Sequence, residues 1–234
     1  MTRPKRVLVA TPSWNRRSII TLTAAALAAS DLRQEDTDYL VTDDASTEFN
    51  EEDLKIWFPW ARVVRHPKKH RHPLLNTMFC FTEFLAGSYS HLVILDSDMI
   101  VSPDWRARLD TLIQIPEFRI GSLYHSASHP VTTEHSGYCV KGTAGFAGMV
   151  FTREIMTYIR NSLGPVHNDW SVCDLMGRKD FFVCKPSAFA HIGINGQWNG
   201  SNYNGIDKAV DFEWSKVDSS IKLSCETLLK VSFG

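Results

Sequence analysis

Two aspartates, Asp96 and Asp98, flank one serine directly after the apolar segment 91–95. Two carboxylates that converge at the end of a strand repel each other, and a bound divalent cation relieves that repulsion. Mg²⁺ or Mn²⁺ bound in this way keeps coordination positions for the oxygens of a diphosphate. The pattern therefore predicts a metal site. The competing interpretation is a solvated loop whose aspartates cap a helix that follows Pro103.

A second acidic pair, Asp43 and Asp44, directly follows another strand-like segment, 38–42. A carboxylate at this place is suited to accept a hydrogen bond from the N–H of a nucleotide base or from a ribose hydroxyl. The alternative is an Asx turn or an N-cap ahead of the helix predicted at 51–57.

The elements that must position these residues alternate between short apolar strands and amphipathic helices. The predicted strands are 6–11, 38–42, 61–65, 91–95 and 181–185, and the predicted helices are 17–29, 51–57, 74–86, 103–113, 152–161 and 167–176. This alternation predicts an α/β fold with a mostly parallel sheet and helices on both faces. Ligands of such sheets bind at the carboxyl ends of the strands, where both acidic pairs lie. Residues 141–150 are predicted to form a glycine-rich loop that enters a helix, and the last thirty residues have the pattern of an amphipathic tail.

Composition restricts the protein class. The chain has 234 residues, 44% of them hydrophobic, and a net charge of −1. These values favour one domain over residues 1–234 and give no reason to expect a nucleic-acid partner. The five cysteines show no metal-binding spacing, so we expect reduced, mostly buried thiols. No apolar stretch is long enough for a signal peptide core or a membrane span, which predicts a cytoplasmic protein.

Three ordered segments make a more specific resemblance possible. Residues 11–16 (TPSWNR), 41–47 (VTDDAST) and 94–98 (ILDSD) resemble the signatures of GT-A fold glycosyltransferases, especially family 2. The resemblance covers residues 5–115 well and 140–195 loosely. Trp14 stands where the family usually has tyrosine, and Ala45 where it usually has glycine. We interpret the second departure as a turn that needs no glycine-only dihedral angle or is shaped differently.

The resemblance implies roles for residues of the first half. Thr11 would lie near the nucleotide base, Asp44 would bond it, and Asp43 would lie near the ribose. Asp98 would be the direct metal ligand, and Asp96 would contact the ribose or a metal-bound water. Asn15 of the first signature is included among the donor-binding residues, and Asn76 resembles a family asparagine at the start of the helix before Asp-x-Asp.

The second half is expected to supply the remaining chemistry. Asn168-Asp169-Trp170 resembles the acidic motif whose second acid is the catalytic base, so Asp169 is the predicted base and Asp174 the reserve candidate. His191, in an H-x-G context, is predicted to complete the metal site, and residues 142–148 resemble the loop that meets the donor sugar. Trp170 and Trp198 are candidates for stacking on sugars, although tryptophans more often belong to the core.

The segment 65–72 is strongly basic and lies between a predicted strand and a predicted helix. Arg71 or a neighbouring lysine is predicted to pair with the diphosphate. The alternatives are a solvated loop or a weak peripheral contact with the inner face of an anionic membrane.

Together these features predict a hexosyltransferase that depends on Mn²⁺ or Mg²⁺. It would move a sugar from a nucleoside diphosphate, with UDP as the favoured nucleotide, to a glycan or lipid-linked acceptor in polysaccharide biosynthesis. The transfer would invert the configuration at the anomeric carbon. Residues 1–115 would form the nucleotide-binding half, 116–204 the acceptor and catalytic half, and 205–234 a tail. Two alternatives are a nucleotidyltransferase, disfavoured because residues 11–17 contain no glycine, and a non-catalytic nucleotide- or glycan-binding module, disfavoured by the intact aspartates. Retaining chemistry stays open.

Overall fold

A computed structural model describes residues 6–193 and 209–233 of the chain. Its strands are β1 (Val7–Ser13), β2 (Thr37–Asp43), β3 (Arg62–Arg65), β4 (His91–Ile94), β5 (Met99–Val101), β6 (Ile120–Ser122), β7 (Val131–Glu134), β8 (Tyr138–Lys141), β9 (Met149–Thr152), β10 (Phe181–Cys184) and β11 (Phe189–His191). Its helices are α1 (Arg17–Ala28), α2 (Glu51–Trp57), α3 (Leu74–Ala86), α4 (Trp105–Ile113), α5 (Arg153–Leu163), α6 (Asp169–Leu175) and α7 (Ser219–Leu229), with a 3₁₀ turn at Trp214–Lys216.

Nine strands form one mixed sheet in the order β3-β2-β1-β4-β9-β6-β10-β8-β7. The pairings make seven of these strands run in the direction of β1, whereas β8 and β9 run against it. The predicted α/β class with a mostly parallel sheet is therefore confirmed. A small second sheet pairs β5 with β11 in antiparallel fashion.

The block β3-β2-β1-β4 is entirely parallel, and α1, α2 and α3 make the crossovers between its strands. Parallel strands joined by such crossovers place all their carboxyl ends at the same edge of the sheet. The segments that follow β1, β2 and β4 therefore meet there, and these are the three segments with recognisable signatures.

The side chains of β1 show why both faces of this sheet are covered. Successive strand residues point to opposite faces, so Val7 and Val9 belong to one buried cluster and Leu8 and Ala10 to another. The first cluster includes residues of α1, α4 and α7, and the second includes residues of α3, α5 and α6. A strand buried on both sides reads as a continuous apolar run, which is the pattern of residues 7–10.

Several predicted boundaries hold and others shift. The bounds of α2 and α3 are those predicted, whereas α4 begins at Trp105 rather than at residue 103, because residues 102–105 form a turn in which Trp105 N–H donates to the Ser102 carbonyl. The expectation that the glycine-rich stretch leads directly into a helix is wrong. Met149–Thr152 forms β9 between β4 and β6, and Thr152 then caps α5 by accepting from Ile155 N–H at 3.3 Å.

The C-terminal segment has a definite place where it is described. In α7, Ile221, Cys225 and Leu229 are buried in the same cluster as α1. Residues 194–208, which include Trp198, lie outside the described residues. All five cysteines lie in the described part, where each is buried and unpaired, as expected. Within the described ranges, no helix has the length and apolar character that a membrane crossing needs.

Candidate active site

A cavity of about 570 Å³ lies at the carboxyl edge of the parallel strands. Five of the predicted site residues line it: Asp44, Asp96, Asp98, Asp169 and His191. The other predicted residues, Thr11, Asn15, Asp43 and Arg71, do not line it. The cavity thus brings together residues from the ends of β2 and β4, the start of α6 and the end of β11.

Asp96 and Asp98 lie in the short turn between β4 and β5, where the chain leaves strand geometry. This turn is the feature that lets both carboxylates face one cavity. Burial, and then the charge of Asp98, raise the pKa of Asp96 to about 7. Burial alone would also raise the pKa of Asp98, but His191 and Arg16 reverse this and hold that pKa well below its usual range. The two neighbouring carboxyls therefore differ in their tendency to ionise.

Asp98 is buried and has two basic neighbours on one oxygen. Its Oδ2 lies 2.8 Å from Arg16 Nη1 and 3.2 Å from His191 Nε2. The small sheet explains the second contact, since His191 pairs with Met99 across β11 and β5 and Ile192 N–H donates to the Asp98 carbonyl at 2.8 Å. A strand pairing of only three residues thus connects two predicted metal ligands that are far apart in the sequence.

Gly193 leaves room for the contact between the Asp98 and His191 side chains because it has no side chain itself. A Cβ at residue 193 would overlap the Asp98 carboxylate and come within 2.7 Å of His191 Nε2. Gly193 also lines the cavity. The lack of a side chain at Gly193, and not a special backbone angle, is therefore what permits the close approach of the acid and the imidazole.

The donor set at Asp98 fits a divalent cation. Adjacent ligands of an octahedral ion about 2.1 Å away lie about 3 Å from each other, and Mn²⁺ accepts both carboxylate oxygen and imidazole nitrogen. Asp98 Oδ2 and His191 Nε2 meet that spacing at 3.2 Å. The described residues contain no cluster of three or more His, Cys, Asp or Glu side chains arranged around one ion. A cation at Asp98 would therefore complete its shell with water or with ligand oxygens.

The segment after β1 carries an unusual backbone. Asn15 and Arg16 both have positive φ, 52° and 61°, in the left-handed region that non-glycine residues rarely adopt. Asn15 Oδ1 accepts from the backbone N–H of Thr47 at 2.7 Å and of Glu48 at 3.3 Å. Asn15 therefore ties the segment after β1 to the segment after β2, and its side chain does not enter the cavity.

The loop after β2 uses its two aspartates differently. Asp43 is fully buried, accepts from Ser46 N–H at 3.1 Å and pairs with Arg65 at 3.0 Å. Asp44 lines the cavity and accepts from both the backbone N–H and Nδ1 of His70. Asp43 thus shapes the loop from inside, and Asp44 is the member of the pair that a ligand can reach.

Two substitutions relative to the family pattern have structural explanations. Ala45 adopts φ 55°, so the turn does use the conformation that glycine takes without strain, and the expectation that it needs no such angle is wrong. Asn168 is the N-cap of α6, and its Oδ1 accepts from Ser171 N–H at 2.8 Å. Asn168 therefore performs the capping role that an aspartate would also perform.

Asp169 is the first residue of α6 and faces the cavity, with its Oδ1 accepting from Trp170 N–H at 3.0 Å. Trp170 beside it is 53% exposed and also lines the cavity. The reserve candidate Asp174 instead pairs with Arg178 at 2.7 Å on the surface, outside the cavity lining. A Cβ at Gly145, in the predicted glycine-rich loop, would lie 3.5 Å from Asp169 Oδ2, and both residues line the cavity.

The two remaining predicted residues lie away from the ligand space. Thr11 is buried within β1, paired with Val41. Arg71 is exposed, and its neighbour Lys69 places its Nζ 3.3 Å from the centre of the Trp14 ring at the cavity rim. Sequence reasoning gave no separate role to Arg16, whose position depends on two left-handed residues that no local pattern indicates.

Asn76 connects helix α3 to strands β1 and β2 at the carboxyl edge of the sheet. Its Nδ2 donates to the carbonyls of Ser13 and Thr42, both at 3.1 Å, so the start of α3 is bonded to the ends of β1 and β2. A buried amide that satisfies two strand-end carbonyls fixes the relative height of the two loops beside the cavity.

Solved structures with this arrangement of strands and helices are known. S. aureus TarS, residues 1–349, is similar with a TM-score of 0.58 and 12% identity over 79% of this chain and 59% of that chain. The same protein in complex with UDP-GlcNAc is similar with a TM-score of 0.57 and 14% identity, over 79% of this chain and 57% of that chain. The mannosyltransferase PcManGT from Pyrobaculum calidifontis, in complex with GDP-Man and Mn²⁺, is similar with a TM-score of 0.54 and 17% identity. The match covers 78% of this chain and 58% of that chain.

The chain has the GT-A fold. It spans less than three fifths of the length of the chains just named, at 57 to 59%. No protein-family model matches the sequence. No curated protein matches it by sequence either.

Proposed function

We propose that this chain is a glycosyltransferase that moves a sugar from a nucleoside diphosphate to a hydroxyl group of a glycan or glycolipid. The observation that carries the proposal is the convergence of Asp44, Asp96, Asp98, His191 and Asp169 on one cavity. The structural neighbours bound to UDP-GlcNAc and GDP-Man support a hexosyl donor, with UDP as the first nucleotide to test.

Asp98 and His191, with Asp96 beside them, would hold Mn²⁺ or Mg²⁺. Such an ion neutralises the charge that develops on a leaving diphosphate. Asp44, which lines the cavity and accepts a hydrogen bond from His70 N–H, would accept a further one from the nucleotide base. The family-like nucleotide-binding half, residues 1–115, thus supplies Asp44, Asp96 and Asp98, and the half at 116–204 supplies His191 and the base.

Asp169 is the proposed base, and its role can be written as one balanced step. Its carboxylate takes the proton of the acceptor hydroxyl, and the acceptor oxygen forms a bond to the anomeric carbon. The bond between that carbon and the diphosphate oxygen breaks, and its electron pair leaves with the diphosphate. Attack from the face opposite the leaving group gives inversion. Trp170, exposed beside Asp169, offers an apolar surface for the acceptor sugar.

The exposed basic residues Lys68, Lys69 and Arg71 extend the proposal to a peripheral contact with an anionic surface. This contact would suit a lipid-linked acceptor, and it is independent of the chemistry at Asp98 and Asp169.

Turnover of nucleotide sugars tests the proposal. Purified protein is incubated with a panel of UDP- and GDP-sugars, with Mn²⁺ or with chelator, and release of the nucleoside diphosphate is measured. We expect release from one donor class with Mn²⁺ only. Asp169→Asn should lower the rate about a hundredfold or more while donor affinity stays within a factor of about two, as removal of a catalytic base does.

Asp174→Asn is the matched control, because Asp174 lies five residues further along and pairs with Arg178 on the surface. It should keep the wild-type rate. If the protein binds a donor but shows no turnover with any acceptor from a panel of glycans and glycolipids, a non-catalytic binding module would be favoured. Absence of binding to every donor would contradict the proposal.

A further inference from the structure

Arg16 is the cation of the cavity that no sequence argument singled out. Among the described residues that line the cavity, it alone carries a permanently charged side chain of positive sign. Its Nη1 donates to Asp98 Oδ2 at 2.8 Å and its Nη2 approaches Ser97 Oγ at 3.5 Å. Its side chain is 28% exposed, so it stays in contact with the ligand space while it pairs with Asp98.

The backbone around Arg16 is built to aim it there. Two consecutive left-handed residues other than glycine cost roughly 1–2 kcal/mol each, and such conformations persist only where surrounding contacts impose them. The contacts here are those of Asn15 with the backbone of Thr47 and Glu48, together with Asn15 N–H donating to Ser46 Oγ at 2.7 Å. The chain thus accepts strain at residues 15 and 16 in order to place one guanidinium across the cavity from β1 to the β4 turn.

Arg16 also shares its acceptor atom with His191. Both side chains contact the same oxygen, Asp98 Oδ2. A cation that binds between Asp98 Oδ2 and His191 Nε2 therefore uses an oxygen that Arg16 already occupies. The positive charges compete for one carboxylate oxygen, so binding of the cation weakens or breaks the pair between Arg16 and Asp98.

We infer that Arg16 is a diphosphate-binding residue that Asp98 holds until a divalent cation releases it. This inference rests on the proposed function, because it assigns a partner to the same site. The released guanidinium remains in the wall of the cavity beside Ser97 and Asp98. A planar guanidinium forms paired hydrogen bonds to phosphate oxygens, which makes a diphosphate the ligand that suits it best.

The charges at this edge favour that order of events. Without a cation, Asp96 and Asp98 oppose an approaching diphosphate, and the charge of Arg16 is already used on Asp98. A divalent cation at the carboxylates offsets both of them and leaves the charge of Arg16 for the ligand. Arg16 therefore couples cation binding to nucleotide binding, and it lowers the affinity for the cation alone while it raises the affinity for the nucleotide.

Opposite effects on two binding constants test this inference. The affinity of the full chain for Mn²⁺ alone is measured by the electron paramagnetic resonance of free Mn²⁺. Calorimetry with UDP and GDP as probes, at saturating Mn²⁺, gives the nucleotide affinity. Arg16→Gln should tighten Mn²⁺ binding about fivefold because a competing charge is gone. It should weaken nucleotide binding about tenfold because a charge-assisted pair is lost.

Arg17→Gln is the matched control, since Arg17 is the next residue and also pairs with an aspartate, Asp53 at 3.0 Å, but lies outside the cavity. It should change neither constant more than about twofold, as expected of an exposed pair. Arg16→Lys, which keeps the charge, should lie between wild type and Arg16→Gln in both measurements, and it serves if Arg16→Gln fails to fold.

The outcomes separate the inference from the proposed function. Wild-type binding of UDP or GDP with Mn²⁺, together with unchanged or weaker Mn²⁺ binding in Arg16→Gln, would overturn the inference alone. Unchanged nucleotide affinity in Arg16→Gln would overturn it equally. Wild-type protein that binds neither Mn²⁺ nor any nucleotide would contradict both the inference and the proposed function.

Discussion

The chain carries one pair of aspartates at the carboxyl end of β2 and another after β4, and Asp43 of the first pair is neutralised differently from Asp98 of the second. Asp43 is buried, and its carboxylate is satisfied by Ser46 and Arg65 within its own neighbourhood. Asp98 is buried as well, but its partners Arg16 and His191 both line a cavity. Similar sequence patterns therefore differ in the source of their compensating charge: the partners of Asp43 belong to its own loop and strand β3, whereas the partners of Asp98 line the cavity in which we propose that the donor binds.

The comparison predicts that the same substitution has different consequences at the two loops. Asp98→Asn should lower cation-dependent donor turnover by at least about a hundredfold, since even outer partners of metal ligands cost 10–100-fold. Its free energy of unfolding should change by no more than about 1 kcal/mol, because loss of the partly exposed Arg16 pair is offset by reduced repulsion from Asp96. Turnover and urea unfolding measure the two effects. If Asp98→Asn keeps the wild-type rate of turnover, the proposed role of Asp98 as a metal ligand is contradicted.

Asp43→Asn should show the reverse balance. Replacement of the fully buried carboxylate leaves Arg65, itself 26% exposed, without its charged partner and weakens the bond from Ser46 N–H, which together cost about 2 kcal/mol. We expect that decrease in the urea unfolding free energy, while the protein that remains folded keeps its nucleotide affinity within about threefold, since Asp43 does not line the cavity. Unchanged stability with a large loss of nucleotide affinity would show that Asp43 contacts the ligand, as the family resemblance implies.

Gly193→Ala should affect only the acidic loop after β4. The added methyl group would overlap the Asp98 carboxylate and the His191 ring, so one of them must move. Mn²⁺ affinity should fall about tenfold, the range seen when the support of metal ligands is disturbed. Gly164→Ala is the control for a glycine with open space around it, although its positive φ gives it a cost in stability. Unchanged Mn²⁺ affinity in Gly193→Ala would contradict the proposed role of His191 as a metal ligand.

A pH dependence of stability is expected at Asp96. The pKa of Asp96 is raised in the folded protein, to about 7, so the folded state binds a proton that the unfolded chain has already lost between about pH 4 and 7. Without added cation, the contribution of Asp96 to stability therefore falls as pH rises through this window and stays unfavourable above it. Asp96→Asn should be more stable than wild type at pH 8, and the difference should shrink toward pH 4. A difference that grows as the pH falls would contradict the assignment.

The sequence sufficed for the parts of the fold with strong local patterns. The apolar run of β1, the helix α3 and the acidic segments after β2 and β4 follow from periodicity and residue type, and three signatures in order indicated the fold. Six strands, β5 to β9 and β11, are not predicted from the sequence, because each is three or four residues long and most of them pair with distant segments. A run of that length carries little periodicity.

The site was predictable to the extent that its residues follow strong strands. Asp98 and Asp44 could be placed at the sheet edge from the strands before them. The distance from His191 to Asp98 could not, because it depends on the pairing of β5 with β11. Arg16 was missed for a related reason, since left-handed backbone at two residues other than glycine is imposed by tertiary contacts of Asn15 and has no local signal.

The most direct test of the whole account is a crystal structure of the protein soaked with Mn²⁺ and UDP, with anomalous diffraction used to locate the metal. We expect one Mn²⁺ in contact with Asp98 and His191, the diphosphate of UDP on that ion, and the Arg16 guanidinium moved from Asp98 to a phosphate oxygen. Metal bound elsewhere, or UDP bound with no metal at Asp98, would contradict it.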